Sequence, residues 1–199
     1  MSSNKSKKLD DLTQEELGKL FPIIISEPNS NWKILFEAEK NEIIRILEEK
    51  AIRIEHFGST AIPNIVAKPT IDILVEIHKR KEIKNEIIEL MKSNGYHFIP
   101  RNDCPPPYIM FVKGYTNEGF KGQVYHIHMA EKEHNGLWDR IYFRDFLIDN
   151  IEAAREYERI KRNLAEKYKY DREAYTEGKT EFVKQVTEKA KITNAQQKI

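Results

Sequence analysis

One eight-residue run, Thr70–Ile77, constrains the chain more than any other stretch. It is apolar on both strand faces apart from Asp72 and Glu76, which is the pattern of a strand inside a sheet and not of one with a solvated face. Such a strand needs packed layers around it, so the fold is expected to set a sheet against helices. An ionised carboxylate inside that strand is costly unless something meets it. A metal or a basic partner would do so, and so would backbone donors or an arginine. Asp72 is therefore the first residue to ask about.

The flanking sequence supplies the other elements. Thr13-Gln14-Glu15-Glu16 has the form of a capping box and predicts a short helix to Leu20, ended by Pro22. Apolar residues at helical spacing from Trp32 to Leu47 predict a helix over about 31–50. Ile52–Phe57 alternates like a half-buried strand and Gly58-Ser59-Thr60 breaks it. An amphipathic helix over 81–94 stops at Gly95, and a short strand follows over 96–99. Asp103-Cys104-Pro105-Pro106-Pro107 reads as a stiff loop. Tyr108–Lys113 and Gln123–Met129 read as two strands of a hairpin joined by a long connection over 114–122. Three helices then close the chain, over 138–147, 152–168 and 174–190, with fraying expected from Thr193 onward. Strands interspersed with helices, and then helices gathered at one end, predict an α+β fold with a mixed sheet of four or five strands. The expected division is a tail and short helix over 1–20, an α/β core over 21–135, and C-terminal helices packed on it over 136–199.

Composition narrows the function classes. The chain has 199 residues, 33 Lys and Arg against 32 Asp and Glu, and a formal net charge of +1. Attraction to polyanions through bulk charge is thereby excluded, which speaks against nucleic acid as a partner, while a local basic site stays open. The single cysteine, Cys104, excludes an internal disulfide and a Cys-rich zinc site. No apolar run is long enough for a membrane-spanning helix. The lysine-containing polar start, read as a frayed tail over 1–11, has no apolar core of a secretion signal, so residence in the cytoplasm is the expectation.

The chemistry gathers in residues 56–76. A Gly58-Ser59 pair directly after a strand can form an anion-binding concavity, because the missing Cβ of Gly58 lets a phosphate approach the backbone. Ser59 adds a hydroxyl donor and Lys68 a nearby positive charge. A Gly-Ser turn alone is commonly only a turn. Its combination with Lys68-Pro69 and a carboxylate in an apolar strand is what singles the segment out.

The same residues resemble the signature of the GrpB family. That family shows His-x-Gly-Ser-Thr-Ala-x-Pro, then Lys-Pro, then an Asp in an apolar strand with an acid four residues on. His56, Gly58, Ser59, Thr60, Ala61, Pro63, Lys68, Pro69, Asp72 and Glu76 all match. Trp32, Phe36, Gly95-Tyr96, His126-Ile127-His128, Trp138, Phe143–Leu147 and Lys161-x-x-Leu164 extend the likeness over about residues 21–190. The resemblance implies a nucleotidyltransferase-like fold. In such enzymes a Gly-Ser turn grips the phosphates of a nucleoside triphosphate and an Asp-x-Asp pair holds Mg2+ or Mn2+. Gly58, Ser59 and Thr60 would then bind phosphate, with Lys68, and Arg101 and Lys113 as further basic candidates. For Arg101 and Lys113 a solvated surface charge is the competing reading.

One departure stands out, since Leu74 occupies the place of the second acid. Glu76 shares a strand face with Asp72 but lies ~13 Å away at the strand rise, too far to share one ion. His126 and His128, two residues apart on a strand, would point to one face ~6.6 Å apart and could join Asp72 around a metal. His56 could touch the site or simply pack. Arg144 and Asp145 read as structural more than catalytic, and Tyr157, Tyr168, Tyr170 and Tyr175 as helix-packing residues. Three functions follow. In the first, Asp72 and Glu76 are catalytic residues of a metal-dependent nucleotidyl or phosphoryl transfer. In the second, the pocket binds a nucleotide or phosphorylated metabolite without turnover. The family's fusion to dephospho-coenzyme A kinase in some bacteria would relate that role to coenzyme A. In the third, the helical end docks a partner. Nothing in the sequence sets the oligomeric state.

Overall fold

The computed structural model describes residues 11–102, 104 and 106–196. The expected tail through residue 10, the last three residues, and Asp103 and Pro105 of the proline loop lie outside the described residues. Helix α1 (Gln14–Leu20) opens with the capping box, Thr13 and Glu16 each bonding the other's backbone N–H. Helix α2 (Asn31–Leu47) ends in a 3-10 turn and leads into β1 (Ala51–Phe57). Next come β2 (Thr70–Ile77), α3 (Lys81–Ser93), β3 (His97–Arg101), β4 (Tyr108–Thr116) and β5 (Gly119–Ala130). Helices α4 (Asn135–Asp149), α5 (Ile151–Lys167), α6 (Arg172–Glu177) and α7 (Thr180–Gln196) complete the chain.

The five strands form one mixed sheet in the order β1-β2-β5-β4-β3, in which β2 runs parallel to β5 and every other pair is antiparallel. The apolar strand β2 is thus interior. Pro100 sits in β3, where the missing N–H costs nothing because β3 is an edge strand. Strand alternation sends Ile71, Ile73 and Val75 into a core with Trp32, Phe36 and Ile43 of α2 and Ile87 and Met91 of α3. It sends Leu74 to the other face, against Leu137 and Ile141 of α4. A third cluster ties α4, α5 and α7 to Ile62 and Ile65 of the β1–β2 loop, and the buried Lys161 of α5 donates to the carbonyl of Val66 in that loop.

Three expectations are corrected. The long connection over 114–122 is a tight turn, because β4 and β5 stay paired to Thr116↔Gly119. Gly114 makes this possible. Its φ of 90° produces a register shift, and an added Cβ would lie 2.5 Å from the Gln123 carbonyl oxygen. The single helix expected over 174–190 is two, α6 and α7, broken at Gly178 and Lys179 where Leu164 packs against the glycine. The terminal fray expected at Thr193 is helical through Gln196, for Thr193 and Asn194 both bond carbonyls one turn back. No helix among the described residues is long and apolar enough to cross a membrane.

Candidate functional site

At the end of β1 the backbone of Gly58 turns to φ 73° and enters a 3-10 turn, Ser59–Ala61. L side chains rarely adopt that conformation. A second constraint acts at the same atom. A Cβ on Gly58 would run into the carboxylate of Asp72, with its Cγ at 3.0 Å. The register places Phe57 beside Asp72 across β1 and β2, and His126 beside Asp72 across β2 and β5. Leu74 and His128 form the next pair on that face. Asp72 is half-buried, and its Oδ1 lies 3.4 Å from His126 Nδ1.

Each histidine is held by a tyrosine hydroxyl. His126 Nε2 is 2.7 Å from Tyr115 Oη, and the two rings stack. His128 Nδ1 is 3.2 Å from Tyr108 Oη, with Phe57 edge-on against the imidazole. Burial, reinforced by Arg140 and His126, holds His128 well below the ordinary imidazole pKa, so it is neutral. One ligand atom from each of Asp72, His126 and His128 lies within 4.8 Å of the others.

These groups open into a cavity of about 710 Å³ between the sheet and helices α4, α6 and α7. Its walls carry Lys68, Arg101, Arg140, Arg172, Lys179 and Lys184 against Asp72 and Asp139, a strong local excess of positive charge in a chain that is nearly neutral overall. Asp139 is already paired with Lys191 at 2.8 Å. Lys68 and Lys179 both approach the Tyr175 ring, at 5.2 and 4.3 Å, and neither has an ion-pair partner among the described residues. Burial lowers Lys68 to about 7, helped by Arg172 and Lys179 and opposed by Asp72, and burial lowers Lys179 to about 8. Arg172 is aimed by the Phe21 carbonyl at 2.9 Å and reaches Tyr115 Oη at 3.5 Å. Ser59 Oγ is 3.5 Å from Tyr157 Oη at the cavity wall.

The structure thus brings Gly58, Ser59, Lys68, Asp72, Arg101, His126 and His128 to one cavity. Arg101 ends β3 and donates to Cys104 Sγ at 3.4 Å. It does not bring Thr60, Lys113 or Glu76 there. Thr60 is buried behind the turn, where its hydroxyl bonds the Thr70 carbonyl and His56 Nε2, each at 3.0 Å. His56 stacks on Phe36 of α2 and is lowered to about 4 by burial, so it packs. Lys113 belongs to the α2–α3 face of the sheet, 2.9 Å from the buried Glu39 carboxylate, which also accepts from Tyr96 Oη at 2.6 Å. Glu76 lies at the far end of β2 beside Arg53 and Ala130. Arg144 binds Glu55 and the His56 carbonyl outside this cavity, at 2.8 and 2.7 Å. Sequence reading missed Arg140, Arg172, Lys179 and Lys184. The interruption Gly178-Lys179-Thr180 in a helical pattern was the available signal for Lys179.

The donor set does not fit the pair of magnesium ions that an Asp-x-Asp motif holds. Leu74 is fully buried in the core and offers no oxygen, which leaves one carboxylate and two imidazoles.

Comparison with known proteins agrees over most of the chain. The family model described as GrpB protein matches residues 22–189. The glutamate-rich protein GrpB of Alkalihalophilus pseudofirmus is 36% identical over 82% of this chain and 93% of its own length. The UPF0157 protein YqkA of Bacillus subtilis is 32% identical, and there the match spans only 46% of the relative. The crystal structure of conserved protein GrpB from Enterococcus faecalis superposes with a TM-score of 0.73 at 26% identity, covering 84% of this chain and 96% of that one. Cid1 in complex with its short product ApU gives a TM-score of 0.42 at 13% identity, over 69% of this chain and 40% of that one, a likeness too weak to carry chemistry between the two. With a family model spanning the sheet and the helices that enclose the cavity, the chain belongs to the GrpB family.

Proposed function

We propose that the Asp72 cavity binds a nucleoside triphosphate and transfers its nucleotidyl or phosphoryl group to an acceptor. The observation that carries this reading is the pair of lysines, Lys68 and Lys179, which have no ion-pair partner among the described residues and line one cavity with the Asp72 carboxylate and the Gly58-Ser59 turn. Burying unpaired ammonium groups is costly, and a polyphosphate would offset that cost. Gly58 and Ser59 hold phosphate oxygens at the turn, and Lys68, Lys179 and Arg172 neutralise the rest of the chain of phosphates. A divalent cation on Asp72, His126 and His128 would supply charge to polarise the phosphates. The ligand is a cytoplasmic metabolite.

A second reading is favoured by Leu74. Without the second acid, the cavity binds a nucleotide or a phosphorylated, coenzyme A-related metabolite and does not turn it over. Thermal melting of wild type and Asp72→Asn across a nucleoside triphosphate panel, with and without Mg2+, Mn2+ or Co2+, separates the readings. A ligand that binds the native state raises the melting temperature by mass action. A cation-dependent rise that is lost in Asp72→Asn supports transfer. A rise that ignores the cation and vanishes in Lys68→Met supports binding alone. No rise with any nucleotide removes both nucleotide readings.

A further inference from the structure

The histidines carry the reading of this site one step further. We infer that the cation seat formed by Asp72, His126 and His128 is selective for a borderline transition cation of the zinc, cobalt or iron class and discriminates against magnesium. This rests on the reading that the three residues hold a cation, and it is independent of any nucleotide.

Magnesium demands oxygen donors in a near-octahedral shell and gives up its water reluctantly. Here it would find one carboxylate, with Lys68, Arg172 and Lys179 lining the same cavity. Imidazole nitrogens suit zinc, iron, copper and nickel, and two histidines with one carboxylate form a recognised set for such ions. The 3.4 Å between Asp72 Oδ1 and His126 Nδ1 suits two donors on one ion better than a direct hydrogen bond. The surrounding groups point the same way. A metal-bound histidine usually gives its second ring N–H to an oxygen, which fixes the ring and the tautomer. Tyr115 Oη can accept from His126 Nε2, leaving Nδ1 bare towards Asp72. Tyr108 Oη can accept from His128 Nδ1, leaving Nε2 as the nitrogen His128 has to offer. Two hydroxyl anchors on two histidines beside one carboxylate are more than a packed polar face requires.

The test uses Co2+ alone, added to the full chain after chelator treatment, with visible absorption reporting nitrogen and oxygen coordination. The expected result is one bound Co2+, displaced stoichiometrically by Zn2+ and retained against a roughly 100-fold excess of Mg2+. His126→Gln should abolish the band. Tyr115→Phe, which keeps all three ligands and changes one hydroxyl, should weaken Co2+ binding about 10-fold, with circular dichroism unchanged. The inference is overturned if wild type gives no band, if Mg2+ displaces Co2+ at comparable concentration, or if His126→Gln binds as wild type does. Failure of every nucleotide to bind would sink the proposed function and leave this result standing.

Discussion

Lys113 on the α2–α3 face of the sheet and Lys68 on the α4 face are both lysines placed next to strands, and both are candidates for gripping phosphate. The fold treats them in opposite ways. Lys113 closes on Glu39, sits over the Tyr96 and Tyr125 rings, and completes a network whose acid is 5% exposed. Lys68 has the Tyr175 ring and a second cation, Lys179, in reach of the same ring, but no ion-pair partner among the described residues. A cation whose counter-charge lies inside the fold is part of the scaffold. One left without an ion pair in a cavity of net positive charge fits the proposed binding of an anion from outside.

The largest effect should come from the paired face. Glu39→Gln removes the charge that Lys113 and the Tyr96 hydroxyl both address, and should cost about 2 kcal/mol in urea unfolding while ligand binding in the Asp72 cavity stays intact. Equal loss of binding would mean that the two faces are not separable.

On the open face the effect is one of pH. The native pKa of Lys68, about 7, and of Lys179, about 8, lies below the ordinary lysine value of 10.5, so the unfolded chain binds more protons between those values. Stability of the free protein should therefore rise from pH 7 towards pH 10, whereas below pH 7 these groups add no slope and impose their full burial cost. Lys161, also near 7 through burial, adds to the slope. Affinity for pyrophosphate should fall across the same window as the lysines lose charge. In Lys68→Met the slope should shrink, the protein should melt higher than wild type at pH 6, and pyrophosphate binding should drop by tenfold or more. A Lys68→Met protein that melts lower and still binds pyrophosphate would erase the contrast with Lys113.

The smallest effect is the sharpest control. Glu76→Gln should leave ligand and cation binding unchanged in calorimetry, because Glu76 does not line the cavity. A measurable loss would return Glu76 to the catalytic role that the family resemblance first suggested.

Local chemistry was legible where it is sufficient by itself. The Thr13 and Glu16 capping box, the buried run of β2, and the Gly58-Ser59 break each announce themselves within a few residues. Partners distant in sequence did not. Glu39 claims Lys113 from 74 positions away, and only the order β1-β2-β5-β4-β3 shows that Lys113 faces away from Asp72. Lys179 and Arg172 were hidden for a related reason. Basic and acidic residues alternate through the last helices, as on any solvated helical face, and only the break at Gly178 and the packing of α7 on α4 turn them towards the sheet. The hairpin over 114–122 was misjudged because three glycines look like a loop, whereas Gly114 lets a paired strand bulge and continue.

The void above Gly58 has a mechanical consequence. Because the Asp72 carboxylate occupies the space where a Cβ would stand, the turn and the carboxylate are meshed like two teeth, and neither can shift without driving the other. The sheet side of the cavity behaves as a fixed jaw. The opposite jaw is the α6–α7 wall, where the helix is interrupted at Gly178 and Lys179 and Lys179 lines the cavity.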